Sequence, residues 1–589
     1  MCGIIGYKGR KNIINILVKG LKNLEYRGYD SWGIGVSSNK GLGVYKKVGK
    51  ISDAKLDEIP LTTHAKVGIG HSRWATHGGV TTTNAHPHLS FDKKIAVVHN
   101  GIIENYQELK KELEQQGIKF YSETDTEILP NLIALYRKRL NLVDAVIMTL
   151  RKIKGRSSFV VIEEGNDVLV GARIGSPLIV GLGKEEYFIA SDITAFFEYT
   201  KEVNYLDDNQ LVYITDKPHF IDITNNEPVK KRTITIDWDI SEAQKGDFKH
   251  FMIKEIWEQK QTLRQAVNQD EESIKKIAEL INNAFGTYFI GCGTAGKVAM
   301  LAEYFFSNIA DKHINTIFAS EFAMCRNFLT KGSLLVSISQ SGETADVLEA
   351  MKIAKERGAT LVSILNVKGS SMYKMSDHVL MINAGPEKAV ASTKATTNQM
   401  AVVMLLAYAA AGRLKTGKKL LIEVASKVND MLNPRYSEHI KKLAEKIYNS
   451  PDIIIIGRGA NYPVALESAI KIQEVSYINA QGFAAGELKH GPIALVEKGT
   501  PCIVLISEDE HKHDAISNAV EVKSRGGYII GVAPENNDVF DYWIKVPYAD
   551  AAQPIVNVIP IQVLAYHLAI MRGINPDFPR NLAKSVVVK

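Results

Sequence analysis

Along the first 235 or so residues, short apolar runs of strand length recur: CGIIGY, GIGVSS, AVVHNG, SFVVIEE, VLVGARIG and YFIASD. Helical stretches such as NYQELKKELEQQG interrupt them. Strands clustered in this way around a few helices predict a layered α+β unit rather than a regular parallel winding. A polar bridge, DWDISEAQKGD, follows. Beyond it FKHFMIKEIWEQ sets Phe248, Phe251, Met252 and Ile256 at helical spacing, so a helix-led domain is expected from about residue 248.

The second half repeats itself. YFIGCGTAGKVA is echoed by IIIIGRGANYPVA, each an apolar strand, a G-x-G turn and a helix start, and AKERGATLVSILN is echoed downstream by VKSRGGYIIGVA. The two pairs are separated by nearly the same distance, which predicts two copies of one doubly wound α/β domain, at about 275–415 and 440–570. Their strands are apolar without alternation, as a parallel sheet covered on both faces requires. The expected organisation is 1–235, a linker at 236–247, a first α/β domain with its leading helix at 248–430, a second at 431–570, and a tail at 571–589.

At 589 residues the chain is too long for one core, and 45% hydrophobic with 23% charged residues is an ordinary globular balance. A net charge of +6 without clustered Lys/Arg is too dilute for a nucleic-acid footprint and suits an anionic small substrate. The stretch MAVVMLLAYAAAG from Met400, taken as the longest apolar run, falls short of the roughly 20 residues of a membrane span and reads as a buried helix. The start has no basic flank or A-x-A-like cleavage site, so a cytoplasmic protein with no membrane partner is expected. Cys2, Cys292, Cys325 and Cys502 lie far apart, which indicates neither a zinc site nor a disulfide framework.

Chemistry concentrates at a few places. In LLVSISQSGETADVLEAM a buried strand runs through hydroxyls and a glycine into a helix, gathering Ser339, Gln340, Ser341 and Thr344 at a helix N-terminus that attracts a phosphate. Ordinary N-capping is the bland alternative. The G-x-G turns at Gly291 and Gly457 do not complete G-x-G-x-x-G, so NAD binding is not indicated. YPVALESAIKIQEVSYI places Glu467, Lys471 and Glu474 on one face of a helix whose other positions are largely apolar, so the charged stripe should line a polar cavity, with Glu474 the candidate base. His490 falls in AAGELKHGP, and Lys584, in the terminal PRNLAKSVVVK, has the chemistry of a Schiff-base lysine.

These motifs, with MCGIIGY, LEYRGYDS, HSRWATHGG, NAHPH, HNGIIENY, SETDTE and VASTKA, closely resemble the glutamine:fructose-6-phosphate amidotransferase (isomerising) family over nearly the whole chain and in order. The resemblance implies an αββα N-terminal-nucleophile glutaminase domain followed by two sugar-isomerase (SIS) domains, an α+β and α/β combination. It implies that Met1 is removed and that Cys2 attacks the glutamine amide, with its own α-amine as base. Onto this sequence it carries Arg73 for the glutamine α-carboxylate, Asp125 for the α-amino group, and Thr76 and His77 for the pocket wall. Asn100 and Gly101 become the oxyanion hole, and Trp74 the gate for ammonia. In the second half it makes Ser339, Gln340, Ser341, Thr344, Thr294 and Ser392 the sugar-phosphate site. Glu474 becomes the base, His490 the ring-opening residue supplied by a neighbouring subunit, and Lys584 the Schiff-base lysine closing the site from the tail. Glutamine and fructose 6-phosphate are the implied substrates, a homodimer the assembly, and no metal or organic cofactor is required. His86 and His88 form an H-x-H pair, but no acidic pattern supports a metal hydrolase.

Three positions depart from the family pattern: Trp32, where a small residue is usual, Lys260, where proline is common, and the strand SSFVVI after IKGR. A phosphoribosylpyrophosphate amidotransferase would share the opening cysteine but needs an acidic phosphoribosyl loop that is missing here. A phosphosugar-sensing regulator would bring a DNA-binding helical module, also missing. A paralogue acting on another ketose phosphate, and a deglycase, are narrower rivals.

Overall fold

A computed structural model describes residues 2–38, 41–236 and 245–585. Met1, most of the expected linker (237–244) and the last four residues of the tail lie outside the described residues. The chain divides into two compact units, Met1–Ser241 with Ala583–Lys589, and Glu242–Leu582.

In the first unit, strict alternation along the strands builds four layers. Ile4 of strand Gly3–Lys8 points into one apolar layer, shared with Ile69, Val98, Val160 and Ile162, while its neighbour Ile5 points the other way against Ile13, Leu17 and Leu21 of helix Ile13–Asn23. Val97 and Phe159 likewise face away from that shared layer, toward helices Ile128–Arg137 and Leu142–Lys152. Period-two patterning therefore gives helix, sheet, sheet, helix, with the two antiparallel sheets face to face. Among the described residues the sheets have eight and six strands. Strand Gly3–Lys8 pairs with Val67–Arg73 and Tyr187–Ala190, so Cys2 enters at the middle of its sheet. The departure at Trp32 is accommodated: the indole is 2% exposed and lies 5.6 Å from the Tyr45 ring. Strand Ser157–Glu163 is buried throughout.

The second unit holds two five-stranded parallel sheets of identical order. The first runs Asn315–Phe318, Gly286–Gly291, Ser333–Ser339, Thr360–Leu365, His378–Met381; the second Asn479–Ala484, Asp452–Gly457, Pro501–Leu505, Tyr528–Ala533, Tyr542–Lys545. Each is second, first, third, fourth, fifth in chain order, so in both lobes the direction of winding reverses between the first and third strands. The repeat extends to the backbone: Gly293 and Gly459 both sit at φ 52°. One continuous core joins the lobes, running from Phe289, Val336 and Val362 to Ile453, Ile503 and Ile530.

The leading helix spans Phe251–Val267, so Phe248 lies outside it, and Lys260 rests its ammonium 4.4 Å from the Trp257 ring centroid. Helix Lys394–Ala410 is buried, as its sequence predicts. A more apolar helix, Gln553–Met571, escaped that reading because Gln553, Pro554, Asn557, Pro560 and Gln562 break up the run. By length and composition Asp550–Met571 is able to cross a membrane, yet 83% of its most apolar window is buried within the protein. Its polar groups are paired inside the core: Gln553 donates to Asn557 at 3.0 Å, and Gln562 accepts from Gln259 at 2.8 Å.

Gly457 ends its strand where a Cβ would meet the Asn461 carbonyl oxygen at 2.2 Å; at its counterpart Gly291 a Cβ would meet Ala295 at 2.6 Å. Gly457→Ala should therefore lower the unfolding midpoint of the second unit, by an amount equivalent to roughly 1–3 kcal/mol of overpacking. Scanning calorimetry on the full chain checks this, and an unchanged midpoint would show that the turn relaxes freely.

Candidate active site

At the start of the first unit, the edge of strand Val67–Arg73 presents Trp74 to Cys2. The Trp74 N–H donates to Cys2 Sγ at 3.2 Å, and the thiol lies 3.4 Å from the Trp74 carbonyl. Burial pushes the thiol pKa up, against the opposing pull of the Trp74 N–H and the Arg73 guanidinium. The Cys2 carbonyl accepts from Asn100 Nδ2 at 2.9 Å and from Arg27 Nε at 3.4 Å; Arg27 is itself paired with Asp192 at 3.0 Å. Asn100 and Gly101 end strand Ile95–Gly101, and at Gly101 (φ 139°) a Cβ would strike the Arg156 carbonyl oxygen at 1.9 Å.

A residue missed by sequence reasoning orients Asn100. His71 is fully buried and donates its Nε2–H to the His99 carbonyl at 2.9 Å and to Asn100 Oδ1 at 3.2 Å. With Oδ1 held there, the Asn100 amide must aim its Nδ2 toward Cys2. His71 and Asn100 stand on strands of different sheets and only the packing of one sheet on the other brings them together, so no spacing in the sequence announces it. The neighbouring histidines are likewise committed to protein groups. His86 Nδ1 accepts from the His99 N–H at 3.3 Å, His88 Nε2 meets Thr124 Oγ1 at 3.0 Å, and His99 reaches Thr126 at 2.8 Å and Ser157 at 3.2 Å. His71 stacks on His86 at 4.1 Å. Burial drives His71 down to about 3 and lowers the other three, so all four are neutral at pH 7.

The remaining glutaminase positions gather nearby. Arg73 donates to the carbonyls of His77 (2.5 Å), Gly78 (3.1 Å) and Gly79 (3.1 Å), folding the turn back onto its own guanidinium. Asp125 is buried and accepts from the Ile103 N–H at 2.7 Å. Thr76 is exposed, and His77 packs edge-on to Tyr106 at 5.9 Å.

In the second unit the first lobe's switch point lies between the ends of strands Gly286–Gly291 and Ser333–Ser339, where Thr294 and the Ser339–Thr344 loop stand. Ser339 Oγ accepts from the Gly342 N–H at 3.1 Å and lies 3.2 Å from Thr344 Oγ1, while Ser341 Oγ accepts from the Glu343 N–H at 3.2 Å. Gln340, in the same turn, is half-buried. Thr344 stands at the N-cap position of helix Ala345–Glu356 without a side-chain capping bond, so its hydroxyl and the first N–H groups of the helix stay together at that end. Ser392 donates to Glu387 at 3.1 Å, and the other Glu387 oxygen accepts the N–H groups of Thr393 (2.9 Å) and Ala395 (3.0 Å).

The lobes meet at Thr294, whose hydroxyl donates to Glu467 of helix Asn461–Ser476 at 3.2 Å. Lys471 lies between Glu467 (3.6 Å) and Glu474 (2.5 Å). Glu467 and Lys471 are buried, while a quarter of the Glu474 side chain is exposed. Burial raises the Glu467 pKa to about 7, the Lys471 charge opposing it. His490 is exposed at the end of the short turn Ala485–His490. Lys584 is half-buried and belongs, with Ala583–Lys589, to the first compact unit. Among the described residues no group of three or more His, Cys, Asp or Glu is placed to hold a metal ion.

Fold and sites together define a glutamine amidotransferase joined to a pair of sugar-isomerase lobes. Residues 44–222 match the glutamine amidotransferase domain model, and 280–409 and 446–572 match the SIS domain model. The chain is 41% identical to the glutamine–fructose-6-phosphate aminotransferase (isomerizing) of Aquifex aeolicus over 598 residues, and 41% identical to that of Pyrococcus horikoshii over 606, covering 100% of both chains each time. The C-terminal domain of the Francisella tularensis glucosamine-fructose-6-phosphate aminotransferase superposes with a TM-score of 0.53 at 33% identity, covering 57% of this chain and 99% of that one. The chain belongs to the glutamine–fructose-6-phosphate aminotransferase (isomerizing) family.

The buried groups set opposite pH responses. The four histidines refuse protons that the unfolded chain accepts below about pH 6.5, so their contribution is full above that value and is lost as pH falls. Glu467 binds a proton that the unfolded chain has released above about pH 4.5, so its contribution is present at low pH and lost as pH rises through about 7. Calorimetry from pH 7.5 to 5.5 should move the transition of the first unit downward. It should also narrow the stability gap by which Glu467→Gln exceeds wild type in the second. A pH-independent first transition would refute the neutral histidine cluster.

Proposed function

We propose that this protein converts fructose 6-phosphate and glutamine to glucosamine 6-phosphate and glutamate, as a cytoplasmic homodimer. The observation that carries the reading is the setting of Cys2, its thiol on the Trp74 N–H and its carbonyl on the Asn100 amide.

With Met1 removed, the Cys2 α-amine takes the thiol proton, and the thiolate attacks the glutamine amide carbon. Asn100 Nδ2 and the Gly101 N–H meet the developing oxyanion. Ammonia leaves, and water hydrolyses the thioester to glutamate. Arg73 offers a planar fork to the α-carboxylate, exchanging neutral carbonyl partners for a charged one. Asp125 holds the α-amino group, and Thr76 and His77 wall the pocket. Trp74, in contact with the thiol through its own backbone, gates the ammonia.

At the second site the sugar phosphate rests on Ser339, Gln340, Ser341 and Thr344, with Thr294 and Ser392 alongside. His490 opens the ring of a sugar bound to the neighbouring subunit, a role suited by its exposure on its own chain. Lys584 condenses with the C2 carbonyl, releasing water, and ammonia displaces the lysine to give the C2 imine. Glu474, held by Lys471, then carries the proton between C1 and C2. The scheme uses no metal or organic cofactor. The four cysteines are unpaired, as a reducing compartment requires.

Supplied with amide-¹⁵N glutamine and fructose 6-phosphate, the protein should place the label in glucosamine 6-phosphate. Label found only as free ammonia would leave the glutaminase and refute the acceptor or its coupling. Cys2→Ala should abolish glutamine-dependent synthesis while ammonium salts still support the reaction; loss of both would place the thiol's role elsewhere.

A further inference from the structure

Ser392 differs from the hydroxyls of the cradle in where its proton goes. Its loop is joined to the cradle through Asn366, all within the second unit. The Asn366 N–H donates to the Gln340 carbonyl at 3.2 Å, while its side chain donates to the Gly385 carbonyl at 2.7 Å and accepts from the Ala384 N–H at 3.1 Å. From Gly385 the chain runs through Ser392 into helix Lys394–Ala410. The leading helix fixes the middle of that run: Glu255 accepts from the N–H groups of Lys388 (2.5 Å) and Ala389 (3.2 Å). The Val390 N–H donates to the Asp577 carbonyl at 3.2 Å.

Glu387 fixes the end of the loop. It is 5% exposed, and its Oε1 accepts from the N–H groups of Thr393 (2.9 Å) and Ala395 (3.0 Å), where the helix begins. Its Oε2 accepts the Ser392 hydroxyl at 3.1 Å, and the buried Thr396 hydroxyl donates to Ser392 Oγ at 3.2 Å. A hydroxyl has one proton and two acceptor lone pairs. With its proton on a carboxylate and one pair on Thr396, the half-buried Ser392 oxygen has one lone pair left to offer a ligand. It can accept but not donate. A phosphate above its second pKa of about 6 has only acceptors, so Ser392 has nothing to give it. The cations of the loop are engaged elsewhere: the Lys388 ammonium lies 5.3 Å from the Phe251 ring centroid, and Lys394 pairs with Glu258 at 2.7 Å. What stands beside Ser392 is the Glu387 carboxylate, which repels a phosphate and tolerates a neutral hydroxyl.

We propose that Glu387 is a positioning and specificity residue of the sugar site: it fixes Ser392 as an acceptor, which receives a hydroxyl of the sugar chain while the phosphate is left to the Ser339–Thr344 loop. The hydroxyls on C3 and C4 are the candidates, since they neither carry the phosphate, nor react, nor close the ring. The inference rests on the reading that fructose 6-phosphate binds in that loop.

The test is equilibrium binding to the full-length protein by titration calorimetry. The probes are inorganic phosphate, fructose 6-phosphate, and its 3-deoxy-3-fluoro and 4-deoxy-4-fluoro analogues, whose fluorine cannot donate. Wild type should bind one fluoro analogue about threefold to tenfold more weakly than the parent sugar, the loss of one hydrogen bond. Ser392→Ala should weaken the parent sugar by a similar factor and no longer distinguish that analogue, with phosphate affinity unchanged. Thr344→Ala should weaken phosphate. In Glu387→Gln the amide oxygen stays on the Thr393 and Ala395 N–H groups, so the amide nitrogen donates to Ser392 and turns its proton outward; parent sugar should weaken and the discrimination should shrink. A change that merely loosened the loop would weaken sugar and analogue together, so an unchanged ratio in Glu387→Gln would overturn the positioning role. Weaker phosphate binding by Ser392→Ala, or no discrimination of either analogue by wild type, would overturn the assignment of Ser392. Failure of wild type to bind fructose 6-phosphate, with phosphate affinity unmoved by Thr344→Ala, would instead refute the cradle reading and the inference with it.

Discussion

Lys471 is an ammonium group with 1% of its side chain exposed, and a lone charge so placed would cost several kcal/mol. Its setting answers that constraint. Glu467 stands one turn before it and Glu474 one turn after, both on the same helix face. The pairing does not neutralise everything: one Glu467 oxygen is buried without a partner, and the carboxyl's affinity for a proton rises accordingly. A helix that carries such a stripe has to meet polar groups from elsewhere, and the first lobe supplies Thr294. The seam between the lobes is thus polar at Thr294 and Glu467, as it is at Gln259 and Gln562, within a largely apolar core.

The glutaminase unit meets the same demand in another way. Instead of pairing charges, it keeps its buried titratable groups neutral and uses them as fixed donors and acceptors. His71 shows the benefit, because on the proposed reading a neutral imidazole protonated at Nε2 orients the Asn100 amide without placing a cation beside the developing oxyanion. An imidazolium would attract that charge more strongly, but it would need its own counter-charge in a region where every neighbouring histidine is already desolvated.

What the sequence made legible follows from how local each signal is. The repeat, the apolar strands and the Ser339–Thr344 loop lie within contiguous stretches, and period and spacing express them directly. The stripe of Glu467, Lys471 and Glu474 was readable because a helix converts spacing into a shared face. His71, Glu255 and Asp577 were not, because each works on a partner in another element, such as Asp577 on the N–H groups of Phe251 and Met252. Cys2 lies between these cases. Its place at the start of an apolar run was visible, but its meaning came from motifs elsewhere that resemble a known family. The apolar helix Gln553–Met571 was misjudged for a related reason, since its glutamines and asparagine look like interruptions until their buried partners are seen.

The two lobes share strand order and turn geometry down to the left-handed glycines, yet they differ in the groups that stand at the switch point. In the second lobe the switch point is closed by amides: Asn557 donates to Asn461 at 2.9 Å and to the Ile506 carbonyl at 3.1 Å, and Asn461 donates to Ser507 at 2.7 Å. The loop that follows, Glu508-Asp509-Glu510, places carboxylates ahead of helix Lys512–Lys523, where the first lobe has hydroxyls. A phosphate would meet like charge there in place of donors, so the duplicated fold does not duplicate the site. The second lobe contributes instead the helix Asn461–Ser476, whose carboxylates face the seam. On the proposed reading, binding of the anion and transfer of the proton are divided between the copies, and a sugar held by its phosphate in one lobe would lie against the base carried by the other.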